Sequence, residues 1–515
     1  MRSILRILAA CALALCLIQP ASAQVQCGIA NSISFPADPS AFRVVQEFGS
    51  QSPRHQGRYH TGEDWYGGRG TSYGEHVRAI AAGRVTFSSP NGWGRDGGVI
   101  IVEHAFPDGS RAYSMYGHLT EATGVTFPAP LSCVREGEVL AAVGDVRPTP
   151  HFHLEIRTSR PDIPGAGYSW EHPVNEGLRR PSKFIRNWQA WFAESYRWRL
   201  DLADETGPAA PPVVLDDNSL ILLDANRAIR ASADGRLLWR VNLTRPAVGV
   251  APIGDSAFVA DADGGMQRIN RDGTLGETWE SGIALNGAPL VLADRLLFPT
   301  PNGIAALDRE GRAVLWQLDD VGQVTRWHAV GDRIGVMTES GDMLTLGADG
   351  MVIDRALLRE PGALSQSPAG DLIVYTQGGL WQIDDEGTWT LALDSAPPGG
   401  RRSAVALDAD DRLFLFDGGA VYAYNRERAP LWTTPIAGVT GRGDLSIHDG
   451  VVLLTSSGGN IVALQAETGG LCNQTRIYGD ARSKLWHALG ADGTLRVYVA
   501  DQVIGLDWDD FLLAC

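Results

Sequence analysis

The hydrophobic positions between residues 44 and 156 occur in short runs that glycines separate. Runs of this length are too short for helices and match buried or half-buried strands. The pattern predicts an antiparallel sheet with strands at 77–80, 85–87, 99–102, 112–116 and 139–143. A mainly β domain is therefore expected in this part of the chain.

Large apolar residues follow a different spacing between residues 182 and 202. They recur roughly every three or four positions, at Phe184, Ile185, Trp188, Trp191, Phe192, Tyr196 and Trp198. This spacing predicts an amphipathic helix over 182–202, with a buried aromatic face. A sugar-stacking surface is the alternative interpretation of so many aromatic rings. The segment 161–206 is therefore predicted to be an aromatic, helical extension of the sheet domain.

A repeat follows the Pro- and Ala-rich segment 207–213, which is predicted to be a linker. An aspartate turn followed by a β-rich run recurs every 38–43 residues, at Asp217, Asp255, Asp294, Asp332, Asp371, Asp411, Asp449 and Asp492. A period near 40 with several short strands is typical of a β-propeller with one blade per repeat. Residues 214–515 are therefore predicted to form about eight blades, with seven and a split closing blade as the alternative.

The N-terminus has the pattern of a secretory signal. A positively charged start precedes an apolar run at 7–18 and an Ala-x-Ala sequence that ends at Ala23. A signal peptide at 1–23 and an exported protein, periplasmic or extracellular, are predicted. A lipidation sequence at 8–11 is a weaker alternative because it leaves a short apolar region. No later segment is apolar enough to span a membrane.

Four cysteines remain after removal of the predicted signal peptide. An even number in an exported chain indicates disulfides, and four cysteines allow three pairings. Proximity in the sequence favours Cys27–Cys133 and Cys472–Cys515.

Composition and charge limit the class of partner. The chain has 515 residues, 44% of them hydrophobic and 20% charged, which is typical of two or more folded domains. Residues 24–205 carry 18 Lys/Arg and 20 Asp/Glu, whereas residues 206–515 carry 24 and 40, a net charge of −16. This acidic second half argues against nucleic acid and anionic lipid as partners.

Histidines and one aspartate provide the candidate chemistry. His151 and His153 share one face of a predicted strand, because side chains alternate along a strand. His60 and Asp64 return to one face around Gly62, which permits close backbone approach. His60, Asp64 and one histidine of the 151–153 pair form the three-ligand set of catalytic zinc, with a fourth position for water.

A zinc hydrolase also needs a proton acceptor and a donor to the developing oxyanion. His118, at the end of a predicted strand, and the other histidine of the 151–153 pair are the candidates for these roles.

Three motifs in this order resemble the lysostaphin-like, LytM-type zinc endopeptidases of metallopeptidase family 23, which cut peptidoglycan peptides. They are HTGED at 60–64, YGHL at 116–119 and HFHLE at 151–155. The resemblance implies that residues 24–160 form an antiparallel β-sheet peptidase domain. It also implies that His60, Asp64 and His153 bind zinc, and that His118 and His151 act as base and transition-state stabiliser. The loop at 144–150 is shorter and richer in proline than is common in that family.

The repeat resembles the quinoprotein (PQQ-dehydrogenase-like) propeller family, through a Gly, Ala-Leu-Asp, Gly, Trp succession such as that at 303–316. The predicted protein is therefore an exported zinc endopeptidase acting on peptidoglycan peptides, with a propeller that binds the wall or a protein partner. A non-hydrolytic wall-binding scaffold is the first alternative, and metal occupancy separates the two. A quinoprotein oxidoreductase ranks lower, because the tryptophans recur at blade positions.

Overall fold

The computed structural model describes residues 27–159, 162–202, 210–224, 226–358, 360–393, 395–479, 483, 485–512 and 515. The predicted signal peptide, the lipidation alternative at 8–11 and most of the predicted linker lie outside these residues. The chain divides into two compact units, Met1–Phe192 and Ala193–Cys515.

The first unit is built on a ten-stranded sheet whose described strand pairs are antiparallel. The strands of the first unit are Arg43–Gln46, Gln51–Ser52, Arg58–His60, Glu63–Tyr66, His76–Arg78, Gly83–Ser89, Gly98–Ala105, Arg111–Thr120, Cys133–Val134, Val139–Val143, Phe152–Arg157, Tyr168–Ser169 and Leu178–Arg179. Three short 3₁₀ helices are Pro53–His55, Gly94–Asp96 and Pro173–Glu176. The five predicted strands are confirmed, with small shifts at their ends. In the large sheet, Phe152–Arg157 lies between Glu63–Tyr66 and Arg111–Thr120.

The helix Pro181–Trp191 covers the sheet and is shorter than predicted. Its apolar face joins the core of the first unit, where the rings of Trp188 and Phe106 stack with centroids 4.2 Å apart. Glu63 holds the helix N-terminus, because its carboxylate accepts hydrogen bonds from the Ser182 backbone N–H at 3.2 Å and hydroxyl at 2.5 Å.

The prediction of a helix over 182–202 is wrong for its second half. Tyr196–Asp201 is a strand, and it belongs to the second unit. In that stretch Tyr, Trp and Leu alternate with Arg and Asp, which is the two-residue period of a strand. Strand Gln502–Asp507 supplies the pairing partner, about 300 residues further along the chain.

The second unit is a propeller whose described residues form eight four-stranded antiparallel sheets. Blade 1 is Val213–Val214, Leu220–Asp224, Arg227–Ala231 and Leu237–Asn242. Blade 2 is Ala247–Ile253, Ser256–Asp261, Gly265–Ile269 and Leu275–Glu280. Blade 3 is Leu290–Val291, Arg295–Thr300, Gly303–Asp308 and Val314–Leu318. Blade 4 is Val324–Val330, Arg333–Thr338, Asp342–Leu346 and Val352–Leu357. Blade 5 is Ala363–Gln366, Leu372–Thr376, Gly379–Ile383 and Trp389–Leu393. Blade 6 is Ala404–Leu407, Leu413–Phe416, Ala420–Tyr424 and Pro430–Pro435. Blade 7 is Gly443–His448, Val451–Ser456, Asn460–Gln465 and Leu471–Arg476.

Blade 8 closes the ring from two distant parts of the chain. Its strands Leu485–Leu489, Thr494–Val499 and Gln502–Asp507 take Tyr196–Asp201 as their fourth member, and a short helix, Trp508–Phe511, follows. The predicted count of about eight blades is confirmed, and the closing blade is also split. Closure in this way completes the last blade, and the radial arrangement of the blades leaves only short, protected sheet edges.

The repeated aspartates and tryptophans occupy fixed places in the blades. Each of the eight marker aspartates lies between the first and second strand of its blade. Several fourth-strand tryptophans lie over a glycine of the next blade; Trp239 covers Gly273 and donates its Nε1–H to the Arg271 carbonyl at 3.0 Å. Trp316 covers Gly350 in the same way. The repeated tryptophan and glycine therefore form a contact between neighbouring blades.

Both favoured disulfides are present. Cys27 is bonded to Cys133 in the first unit, and Cys472 is bonded to Cys515 in the second. Disulfides persist in oxidising compartments, which indicates an extracytoplasmic protein. Among the described residues, no helix has the length and apolar character needed to cross a bilayer.

His104 makes the stability of the first unit depend on pH. The ring is fully buried, with Nδ1 2.9 Å from the Ala82 carbonyl and Nε2 2.7 Å from the Ser114 hydroxyl, and burial lowers its pKa to about 4. The unfolded chain takes up this proton near pH 6.5, so stability falls as pH decreases from 6.5 towards 4. We expect His104 to account for about 2 kcal/mol of the loss between pH 7 and pH 5.

Hydrogen exchange of first-unit amides at several pH values measures this slope. The His104→Gln variant should lose the corresponding part of the slope, whereas the exposed control His76→Gln should keep all of it. Equal slopes for all three proteins would contradict the assignment to His104.

Candidate metal centre

Three neighbouring strands of the first unit bring the predicted ligands together. His60 ends strand Arg58–His60, Asp64 lies in Glu63–Tyr66, and His153 lies in Phe152–Arg157 directly opposite Asp64. Gly62 makes the close approach possible, because a Cβ at this position would stand 2.2 Å from the Leu154 carbonyl oxygen. A larger residue at position 62 would therefore push the two segments apart.

The three side chains meet through one atom each. Asp64 Oδ1 is 3.2 Å from His60 Nε2 and 2.9 Å from His153 Nδ1, and these two nitrogens are 3.0 Å apart. All three residues are buried. Two imidazole nitrogens and one carboxylate oxygen facing a common point fit a metal ion of the first transition series or zinc.

The remaining nitrogens of the two imidazoles are held by acceptors. His60 Nδ1 donates to the Glu47 carbonyl at 3.3 Å, and His153 Nε2 donates to Glu155 Oε1 at 3.0 Å. With these N–H groups held by their acceptors, loss of any proton from His60 Nε2 and His153 Nδ1 would leave lone pairs that point towards the shared position. The protein therefore fixes the tautomer that metal binding requires.

Glu155 is a site residue to which the sequence interpretation gave no role. Its carboxylate accepts from Thr61 Oγ1 at 2.5 Å and from Arg157 Nε at 2.6 Å as well as from His153. The signal was present in the sequence, since His153 and Glu155 are two residues apart and therefore share a strand face. Glu155 therefore orients the His153 ring through Nε2, the nitrogen that does not face Asp64.

The buried charges favour a cation at this point. Burial raises the pKa of Asp64, but hydrogen bonds from His153 and His60 outweigh burial and hold it well below its usual range. Burial lowers the pKa of His153, and its hydrogen bonds to Asp64 and Glu155 outweigh burial and raise it to about 9. A histidine binds metal only in its neutral form, so a metal ion would replace this proton.

The other two predicted residues stand beside the ligands. His151 Nε2 is 3.5 Å from Asp64 Oδ2, and the rings of His151 and His118 have centroids 4.7 Å apart. His118 Nδ1 donates to the Asp96 carbonyl at 2.7 Å, and His151 Nδ1 donates to the Thr149 carbonyl at 2.8 Å. The Nε2 atoms of both rings are thus left available.

His118 has an uncommon backbone conformation, with φ of 62°. Burial and the neighbouring His151 lower its pKa to about 4, so its ring is neutral near pH 7 and can accept a proton. All five predicted residues therefore line one cleft of 510 Å³. The same cleft is lined by Trp93, Tyr168, Arg54 and Arg147, which no motif identified because a two-residue strand, a short 3₁₀ helix and loops position them.

Comparison with known families agrees with both units. Residues 58–164 match the model of peptidase family M23. Residues 193–387 and 300–504 match the model described as outer membrane protein assembly factor BamB, and together these ranges cover more than half of the chain. The chain belongs to the BamB repeat family and carries an M23 peptidase domain. The five clustered residues all lie in the matched M23 range.

Solved structures similar to this BamB-type chain include BamB from Moraxella catarrhalis, at 16% identity, TM-score 0.45, covering 61% of this chain and 97% of that one. Sqt1 from Saccharomyces cerevisiae matches at 10% identity, TM-score 0.48, over 61% of this chain and 98% of that one. The computationally designed Ika8 protein matches at 12% identity, TM-score 0.44, over 59% and 98%. A search of curated proteins found no match.

Glu155 gives a test of the candidate metal centre that leaves all three predicted ligands in place. Replacing it with glutamine removes the carboxylate that orients His153, and such changes lower metal affinity about 10–100-fold. Competition with a chelator of known affinity measures the change. Glu103→Gln is the matched control, because Glu103 is also a strand carboxylate paired with arginine and lies outside the cleft. Equal affinities for the two variants would contradict the role of Glu155.

Proposed function

We propose that the chain is an exported zinc metallopeptidase that hydrolyses peptide bonds in peptidoglycan. The observation that carries the proposal is the set of two imidazoles and one carboxylate, His60, His153 and Asp64, beside two further imidazoles in an open cleft. The match to peptidase family M23 supports peptide hydrolysis.

Zinc is the metal that this ligand set suits best. Three protein ligands of nitrogen and oxygen type are the pattern of catalytic zinc, which keeps a further position for water or substrate. When bound, the ion supplies a Lewis acid that makes water more acidic and polarises a peptide carbonyl. The resemblance of the HTGED, YGHL and HFHLE motifs to the LytM-type enzymes supports the same assignment.

The two remaining histidines have different roles, one as proton acceptor and one as hydrogen-bond donor. His118 is neutral, and its Nε2 takes the proton from the attacking water. Its Nδ1–H stays on the Asp96 carbonyl, which keeps the ring in the accepting tautomer. His151, when protonated, donates Nδ1–H to the Thr149 carbonyl and offers Nε2–H to the oxygen that gains negative charge.

Export and wall binding complete the proposal. The signal sequence and the two disulfides support a periplasmic or extracellular location. The propeller acts as the module that binds the wall or a protein partner. We assign it no part in peptide hydrolysis, because the five residues of the proposed site all lie in the first unit.

Metal analysis combined with wall digestion tests the proposal. Purified full-length mature protein should contain about one zinc per chain and release soluble fragments from purified peptidoglycan. Chelation should abolish release, and added zinc should restore it. Zinc without wall cleavage would indicate another peptide substrate. Folded protein with neither zinc nor cleavage would contradict the enzyme and favour a wall-binding scaffold.

A further inference from the structure

Two arginines reach across the axis of the propeller. The first strands of blades 4, 5, 6 and 7 contact one another in succession, so they surround the axis. Arg326 lies on the first strand of blade 4, and Arg442 directly precedes the first strand of blade 7. Arg442 Nη1 lies 3.5 Å from the Thr325 carbonyl, which joins two blades on different sides of the ring.

Both guanidinium groups are surrounded by protein on several sides and keep contact with solvent. Burial and the nearby Arg442 lower the pKa of Arg326 to about 9, and burial also lowers the pKa of Arg442. Arg326 is nevertheless only half-buried, and Arg442 is exposed. Both side chains start on or beside the strands that surround the axis and reach the backbone of another blade, which places them in the axial channel. Both arginines remain charged near pH 7.

Neither cation has an ionic partner among the described residues. Arg326 Nη2 donates to the carbonyls of Arg401 and Ser403, at 3.2 and 3.1 Å, and the Arg442 contact is also to a carbonyl. In the part of the second unit that the structure describes, neither guanidinium forms an ion pair. Enclosing two like charges without a counter-ion is unfavourable, because desolvation and mutual repulsion add.

One carboxylate acts on both arginines but is directed elsewhere. Asp444 acts electrostatically on both arginines, but its Oδ2 is 3.4 Å from His487 Nδ1 and its side chain is 59% exposed. His487 also contacts the hydroxyls of Ser446 at 2.7 Å and Thr455 at 2.9 Å. The two arginines therefore outnumber the one carboxylate that acts on both of them, inside a unit that is acidic overall.

We propose that the axial channel of the propeller binds a small oxyanion, a carboxylate or a phosphate group, between Arg326 and Arg442. A guanidinium has five N–H donors arranged to match the two oxygens of such a group. Carbonyl contacts use few of these donors and fix the side chains across the channel. The site lies in the second unit and does not depend on the peptidase chemistry of the first.

Calorimetric titration of the full-length protein with sodium phosphate and with sodium acetate tests the site, with sodium chloride at equal ionic strength as the salt control. We expect one of the two anions to bind one per chain, and this result identifies the chemical class. Arg326→Gln and Arg442→Gln should each weaken binding about tenfold or more, since each removes a charge-assisted contact. Arg426→Gln, the same charge change at an exposed turn, should leave it unchanged.

Two results would overturn the site. One is that neither phosphate nor acetate binds beyond the chloride control. The other is that the two channel variants, shown by circular dichroism to be folded, bind as tightly as the unaltered protein. Arg442→Gln keeps the test decisive if Arg326→Gln does not fold, because the Arg442 side chain makes a single, long carbonyl contact with the described residues.

Discussion

Replacing His153 with alanine should abolish peptidoglycan cleavage and remove zinc from the protein. The substitution deletes one of three proposed ligands and removes the imidazole that bridges Asp64 and Glu155. Two protein ligands do not form the three-ligand set that catalytic zinc requires. We expect zinc to fall from about one per chain to below about one tenth, and fragment release to fall to the level of chelated protein.

His118→Ala is the matched control for this experiment, since it removes a cleft imidazole that is not a proposed ligand. This variant should keep its zinc and lose about 10²–10⁴-fold in kcat, the usual contribution of a general base. Zinc content is measured by elemental analysis and cleavage by fragment release. A His153→Ala protein that retains zinc, or a His118→Ala protein that loses it, would contradict the assignment of ligands and base.

Replacing Trp198 with alanine should destabilise the propeller by about 3–5 kcal/mol, the usual loss for a buried tryptophan. The side chain is 9% exposed and packs on Gly235 of blade 1 and Gly505 of blade 8. It shares one hydrophobic cluster with residues of both blades, including Leu222 and Tyr498. Its buried Nε1 has no hydrogen-bond partner among the described residues, so the loss comes from packing.

Urea unfolding, followed by hydrogen exchange in strand Gln502–Asp507, measures the effect of Trp198→Ala. Trp170→Ala is the control, because Trp170 lies in the first unit, is 66% exposed and should change stability by less than about 0.5 kcal/mol. An unchanged unfolding midpoint for Trp198→Ala would show that the closing strand contributes little to the ring.

Local sequence patterns predicted the parts of the structure that depend on short-range spacing. The eight aspartates predicted the number of blades because each marks a turn between two strands of one blade. The proposed ligands were found because His60 and Asp64 lie on one short segment around Gly62, and His151 and His153 lie two residues apart.

Features that depend on distant pairing were not predicted. Tyr196–Asp201 was assigned to a helix because its aromatic residues also fit a helical spacing when read together with Trp188 and Trp191. Its strand partner lies at 502–507, and no short window of sequence contains both. Trp93 and Tyr168 enter the cleft through long-range packing for the same reason.

The strand Tyr196–Asp201 also determines the order in which the propeller can be completed. A chain synthesised from its N-terminus presents this strand before the first blade, and the strand can pair only after Gln502–Asp507 has been made. Contacts between such distant segments form slowly, because a long loop must close before they can form. Until then an unpaired strand edge is exposed, so this protein should depend on chaperones most strongly between emergence of its first and its eighth blade.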